Sequence, residues 1–255
     1  MTGYRLPVTG CWLLVTGCVV TPLTNKIEVG EDPIVIGVGE GPDSLTDLFA
    51  APAGGGAFVR LTFNRAEERG PRLSPDGLMV AYLRHSKAGS DWSLVLLDLV
   101  RNTEHSAPVP GDAGEPVGVG WSPAGDRIAV HAGRYLTTRA PGPIVLEPID
   151  SLAGDSLVRE RLGAEREGMI RACAAGGGLC VVVGGATTPL GPERTGAIRW
   201  GADSLGYFTG GNFEVRPLTG GYARRPTWTG LPTHLRELTY HGGQVTTRSG
   251  VSGRR

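Results

Sequence analysis

Ser156, five histidines and four cysteines are the residues best suited to chemistry in this 255-residue chain. Ser156 stands in Gly154-Asp155-Ser156-Leu157, where a turn could present a nucleophile. Such a serine needs a histidine base, itself oriented by a carboxylate. Asp-Ser-Leu recurs at Asp43-Ser44-Leu45 and Asp203-Ser204-Leu205, each where a turn is expected to enter a strand. Local side-chain hydrogen bonding explains all three copies. No Gly-x-Ser-x-Gly elbow and no phosphate-cradling loop occurs. The histidines show no ligand spacing. The glycines at 176–178 and 184–185 flank a valine-rich strand with no helix to follow, so a dinucleotide fingerprint is unsupported. The expectation is no catalytic residue, no metal and no cofactor, although folding could still bring distant residues together into a site.

The cysteines point to a compartment. Residues 1–17 carry one positive charge, Arg5, then a short apolar stretch and small residues before Cys18. That is the layout of a secretory leader, and its apolar part is shorter than the roughly 20 residues of a membrane span. Val15-Thr16-Gly17-Cys18 resembles the lipobox of bacterial lipoproteins. The resemblance implies lipidation of Cys18 and, with no Asp following it, retention at the outer membrane facing the periplasm. Cys11 would leave with the leader. Cys173 and Cys180 then remain, flanking a glycine-rich turn: a cross-strand disulfide, or two small buried apolar side chains.

Composition bounds the elements that position these groups. Formal charge is balanced at 25 basic and 25 acidic residues, without the basic excess of a nucleic-acid binder. With 41 glycines and 19 prolines between short apolar runs, the chain reads as many strands joined by tight turns. The best helical candidate, Leu157 to Met169, is interrupted by Gly163.

Self-similarity is the strongest signal in the remainder. Leu73-Ser74-Pro75-Asp76-Gly77-Leu78-Met79-Val80-Ala81-Tyr82 aligns with Trp121-Ser122-Pro123-Ala124-Gly125-Asp126-Arg127-Ile128-Ala129-Val130. Proline presets φ for the first turn position and glycine accepts the strained one, so each copy reads as a hairpin. Weaker copies run from Cys173 to Val182 and from Trp200 to Tyr207, and Pro226 to Gly230 is expected to open a last one. Ser93 to Leu99 and Thr103 to Val109 complete one unit; Pro143 to Ile149 and Ser156 to Leu162 are expected to complete the next. Leu48 to Pro52 and Phe58 to Phe63 form the outer strands of a first unit.

The run Arg60-Leu61-Thr62 … Pro71-Arg72-Leu73-Ser74-Pro75-Asp76-Gly77 … Val80-Ala81-Tyr82 resembles the WD-like repeat of TolB-type β-propellers. Residues 60–130 match well and 168–240 loosely. The resemblance implies an all-β propeller of four-stranded antiparallel blades, four or five in number. The close spacing of Cys173, Trp200 and Trp228 leaves degenerate blades or an unclosed ring open. The expected organisation is a leader over 1–17, a tether over 18–30, the propeller over 31–245 and a tail over 246–255.

In an up-and-down blade the Ser-Pro hairpins occupy one end of the ring and the remaining connections the other. Loops are expected there over Asn64 to Gly70, Arg84 to Asp91 and Gly133 to Gly142. A recognition face of His85, Lys87, Arg134, Tyr135 and Arg139 follows, with solvated loops as the plainer alternative. Trp121, Trp200 and Trp228 are expected between blades. The function expected is a non-catalytic, lipid-anchored envelope module that binds a protein or glycan. The alternatives are an exported hydrolase- or peptidase-related propeller and a purely structural lipoprotein. Gly154-Asp155-Ser156-Leu157 is similar to the motif of the serine hydrolases named for it. Those enzymes also carry a downstream Asp-x-x-His, and none of His85, His105, His131, His234 or His241 has Asp three positions earlier.

Overall fold

The computed structural model describes residues 34–42, 45–86, 91–158, 170–172, 179–183, 185–191, 197–201, 203–209, 212–219, 221–240 and 243–246. The expected leader, Cys18, the tether and nearly all of the expected tail lie outside them, as do Lys87 and Cys173.

The chain is all-β and folds as a propeller. In chain order come β1 (Ile34–Glu40), β2 (Thr46–Pro52), β3 (Gly55–Ala57) and β4 (Val59–Arg60), of which β1, β2 and β4 begin blade I. Blade II is β5 (Ala66–Leu73), β6 (Met79–Ser86), β7 (Trp92–Asp98) and β8 (Thr103–Pro108). Blade III is β9 (Gly118–Trp121), β10 (Arg127–Ala132), β11 (Arg134–Arg139) and β12 (Glu147–Pro148), followed by helix α1 (Ser151–Val158). Three described strands form each of the next two. Blade IV has β13 (Ile170–Ala172), β14 (Leu179–Val183) and β15 (Ala186–Gly191). Blade V has β16 (Ala197–Trp200), β17 (Ser204–Thr209) and β18 (Asn212–Pro217). β19 (Thr227–Thr229) pairs parallel with β3. β20 (Thr233–Tyr240) and β21 (Gly243–Thr246) then return to blade I, whose order is β21-β20-β1-β2-β4.

Two observations show how the blades are joined. The inner strands of blades V, I, II and III meet in turn: β16 touches β21, β21 touches β5, and β5 touches β9. The two ends of the described chain also share one sheet, with Ile36 opposite Thr239 and Val38 opposite Glu237. The first and last strands are thereby zipped together, which removes the edges they would otherwise expose.

Both faces of a central strand are buried, so the strands read as continuous apolar runs. On β6, Val80 and Tyr82 face blade I while Ala81 and Leu83 face blade III. On β7, Val95 and Leu97 face blade I, with Leu94 and Leu96 facing blade III. A third cluster joins blades I and V through Val35, Ile198, Trp200, Phe213, Trp228 and Tyr240. At about 25 cal/mol per Å2 of apolar surface, these interfaces are the main favourable term.

Five expectations need correction. Gly133 to Gly142 is not a loop: Arg134–Arg139 is β11, with Leu136 buried and the Thr137 hydroxyl donating to the Ile128 carbonyl. Its polar composition hid a β-branched strand. Asn64 to Gly70 is strand from Ala66 onward. Of Pro143 to Ile149 only Glu147–Pro148 is strand, and Ser156 to Val158 end a helix whose Leu152 and Ala153 amides are capped by the Asp150 carboxylate. Finally, Trp228 lies on β19, outside the blade sheets, so no repeat copy opens there.

Candidate binding face

The repeat turns are built from one serine each. In the first, the Ser74 hydroxyl donates to Asp76 at 2.5 Å and accepts from the Met79 amide, while the backbone closes from Gly77 N to Ser74 O. In the second, Ser122 donates to Asp126 at 2.7 Å and accepts from the Arg127 amide, with Gly125 N closing onto Ser122 O. Gly77 and Gly125 have φ of 74° and 72°, which a side chain would strain. The carboxylate comes from two residues after the serine in one turn and from four after it in the other. Both hairpins lie at the same end of the ring, joining the first two strands of blades II and III.

Polar side chains lock blade to blade just inside the opposite end. Thr62, from the Leu-Thr pair, accepts from the Leu48 amide and donates to Glu68. Glu68 is fully buried and also receives Asn64 and Arg84. Burial pushes its carboxyl above the usual range, with Asn64, Thr62 and Arg84 pulling the other way. Arg84 extends the network to Glu104 and the Tyr82 hydroxyl. Burial raises the Glu104 carboxyl too, but the hydrogen bonds and charge of Arg84 hold it below the ordinary value.

Strand alternation puts Glu67 and Arg69 on the other side of β5, toward blade III. The register shifts between Arg69 and Arg72, a bulge that leaves both arginines facing blade III although three positions apart. Arg69 donates to Glu115 at 2.9 Å and to the Pro116 carbonyl. Arg72 donates to the Val119 carbonyl, and the Trp121 indole donates back to the Arg72 carbonyl.

Above this clamp opens a cleft of about 570 Å3 between blades II and III, lined by Glu67, Arg69, His85, Asp91, Trp92, Val109, Gly111, Gly114 and Glu115. That volume falls within the roughly 300–1,000 Å3 of small-ligand clefts. Trp92 is its aromatic wall: the His85 ring stacks on it at 4.7 Å between centroids, and the Arg69 guanidinium lies 3.8 Å from its centroid. The segment bearing Gly111–Ala113 forms the rim. Arg134 holds it from blade III through Asp112 at 3.1 Å.

The expected recognition residues are thus split. His85, Arg134 and Tyr135 lie at the end opposite the Ser-Pro hairpins, His85 in the cleft and Arg134 behind its rim. Tyr135 turns to the far side of blade III, where it stacks on His131 and donates to Asp155 of α1. Arg139 is at the other end of β11, roughly 17 Å from Arg134 at strand rise, beside the Ser122 hairpin, whose Asp126 carbonyl accepts from the Ala140 amide. A smaller cavity there, of about 300 Å3, is lined by Arg127, Arg139 and Glu147. Glu67, Arg69 and Trp92 were not singled out by the sequence, although Glu67 and Arg69 fall in a segment expected on this face. Their only signal is the alternation Glu67-Glu68-Arg69.

Gly154 and Asp155 have a structural use. A Cβ on Gly154 would stand 2.1 Å from the Tyr135 ring, and Asp155 accepts from the Tyr135 hydroxyl. The tetrapeptide docks α1 onto blade III rather than entering a strand. Cys180 is disulfide-bonded. Trp121 and Trp200 are buried between blades, and Trp228 packs against Trp200 and donates to the Pro52 carbonyl. Among the described residues, no three His, Cys, Asp or Glu side chains are grouped to hold a metal ion. No helix among them is long and apolar enough to cross a membrane.

Antiparallel sheets of three to five strands, five of them among the described residues, make this a β-propeller. Solved structures similar to it include TolB from Acinetobacter baumannii, at 14% identity over 81% of this chain and 57% of that one, with a TM-score of 0.38. The putative TolB from Agrobacterium tumefaciens is another, at 16% identity over 76% and 60% respectively, also with a TM-score of 0.38. This chain spans less than two thirds of the length of either. It matches no protein-family model and no curated protein sequence. The propeller assignment rests on the blades themselves.

Proposed function

We propose that the chain is a non-catalytic binding module of the bacterial cell envelope, lipid-anchored at Cys18 and facing the periplasm from the outer membrane. It captures a protein or glycan partner on the ring face opposite the Ser-Pro hairpins. The observation that carries the reading is the cleft on that face, where Trp92, Arg69 and His85 meet between two blades. Aromatic and arginine side chains in a partly desolvated recess are the usual anchors of recognition. The leader and lipobox-like residues before Cys18 supply the address.

Affinity capture from envelope extracts with the full chain tests the binding role. A partner recovered by wild type and by Arg139→Ala, but lost from a His85→Ala/Trp92→Ala variant that still unfolds cooperatively, supports this face. Equal recovery by all three removes it. Cys18→Ser should move the protein from the membrane to the soluble fraction. A robust hydrolase turnover abolished by one substitution would overturn the non-catalytic reading.

A further inference from the structure

We infer that the Ser-Pro hairpin end of the propeller rests against the phospholipid headgroups of the membrane that holds Cys18, which turns the cleft face outward; this rests on the lipid-anchor reading above. The direction of β1 decides which end the anchoring segment joins. Near the start of β5 the Glu68 amide donates to Thr46, and at its finish the Leu73 amide donates to Thr239. Thr46 lies opposite Glu40 of β1, and Thr239 lies opposite Ile36. β1 therefore starts where β5 finishes, beside the Ser74 hairpin, and runs away from it. Ile34, its first residue, stands at the Ser-Pro end.

Ile34 comes 16 residues after Cys18, a reach of about 55 Å at full extension. The eight residues of β5 make a blade about 27 Å tall. With the Ser-Pro end toward the bilayer, no part of that reach is taken up in passing the blades. With the ring inverted, about half of it would be.

The side chains at this end suit a headgroup layer. Leu78, Val100 and Val145 are exposed large apolar residues there. The Leu99 amide donates to the Leu78 carbonyl, which sets the turns bearing Leu78 and Val100 side by side. A Cβ on Gly125 would stand 3.5 Å from Pro75, so the hairpins of blades II and III are also neighbours. Arg127 and Arg139, both exposed, face each other across β10 and β11 at the same end. Like charges directly opposite one another disfavour the pair of strands, and a lipid phosphate beside them would relieve that. Apolar side chains entering the acyl boundary while guanidiniums stay among phosphates is the arrangement of an interfacial surface.

The test uses the lipidated full chain reconstituted into vesicles of phosphatidylethanolamine and phosphatidylglycerol, with a nitroxide on the headgroup of a tracer lipid. An environment-sensitive fluorophore is attached at Val100→Cys or, in a separate protein, at Val117→Cys. Val117 is as exposed as Val100 but lies at the opposite end, at the start of β9, where its amide donates to the His131 carbonyl. The nitroxide should quench the probe at position 100 severalfold more than the probe at 117, and Leu78→Asp should lower the quenching at 100. Should the label at 100 unfold the protein, Val145→Cys takes its place at the same end. Equal quenching at the two ends, stronger quenching at 117, or indifference to Leu78→Asp would overturn the orientation. If Cys18→Ser protein is lost from membranes while quenching is equal, the orientation fails alone and the anchor reading stands. Cys18→Ser protein that stays with the membrane removes the anchor reading, and the orientation with it.

Discussion

At the scale of single residues, the molecule shows that a turn needs a function filled rather than a position filled. Ser74 and Ser122 both hold the strand that follows by accepting its first amide, and each needs a carboxylate to take its own proton. One turn uses Asp76 and the other Asp126. Read as letters, the second turn has lost its aspartate; read as hydrogen bonds, it has only moved it. Hydrogen bonding to Ser122 holds the Asp126 carboxyl below the ordinary range, aided by Arg127 and Arg139. Ser122→Ala should cost about 1–2 kcal/mol in urea unfolding, and no measurable loss would show that Gly125 alone sets the turn. Glu68 makes a second prediction. Its folded-state pKa is raised by burial, so the native state holds a proton more tightly than the unfolded chain. Its contribution to stability is complete below the unfolded value of about 4.3 and declines as pH rises through the raised value. Relative to wild type, Glu68→Gln should gain stability across that window, read from denaturant midpoints at a series of pH values. A constant difference would indicate that the hydrogen bonds and charge of Asn64, Thr62 and Arg84 cancel desolvation, and a variant that loses stability relative to wild type as pH rises would show that they outweigh it.

At the scale of elements, legibility followed how local the signal was. The hairpins over Leu73 to Val80 and Trp121 to Ile128 were readable because proline, glycine and serine act within a few residues. The strands flanking them were readable as apolar runs. β11 and β5 were not, because Arg134–Arg139 and Ala66–Leu73 are rich in charge and hydroxyl. Their polar side chains are used between blades, and no sequence window contains the partner. The cleft was missed for the same reason: Arg69 and Glu115 come from opposite sides of a blade interface. Helix α1 shows how packing overrides propensity. Replacing a helical glycine by alanine ordinarily gains about 1 kcal/mol. At Gly154 the new methyl would meet the Tyr135 ring and its Cβ at 2.1 and 2.4 Å, close to the backbone where the side chain cannot swing away. Overpacking of this kind costs about 1–3 kcal/mol, so Gly154→Ala should destabilise the protein. A rise in the unfolding midpoint would show that the helix can lift from β11.

For the whole molecule, the seam in blade I decides whether there is one cooperative unit. β20 pairs with β1 along the register Ile36 to Thr239, and Glu40 is held by Arg236 at 2.7 Å and by His234 at 3.0 Å. The hydrogen bond from His234 leads in holding the Glu40 carboxyl below its usual range. Deleting residues 232–255 removes β20 and β21 and bares one edge of β1. The expected result is loss of a single cooperative denaturant transition together with self-association on size exclusion. A truncated chain that stays monomeric and unfolds in one step would show that blades II and III carry the stability alone.

The same seam bears on synthesis. β1 pairs with β2 as soon as both are made, but its other neighbour, β20, follows nearly 200 residues later, so the interior blades can form while one edge of β1 still waits. Pairings of such long sequence separation form late and slowly. Closure of the blade I sheet is therefore timed by the arrival of β20 and β21.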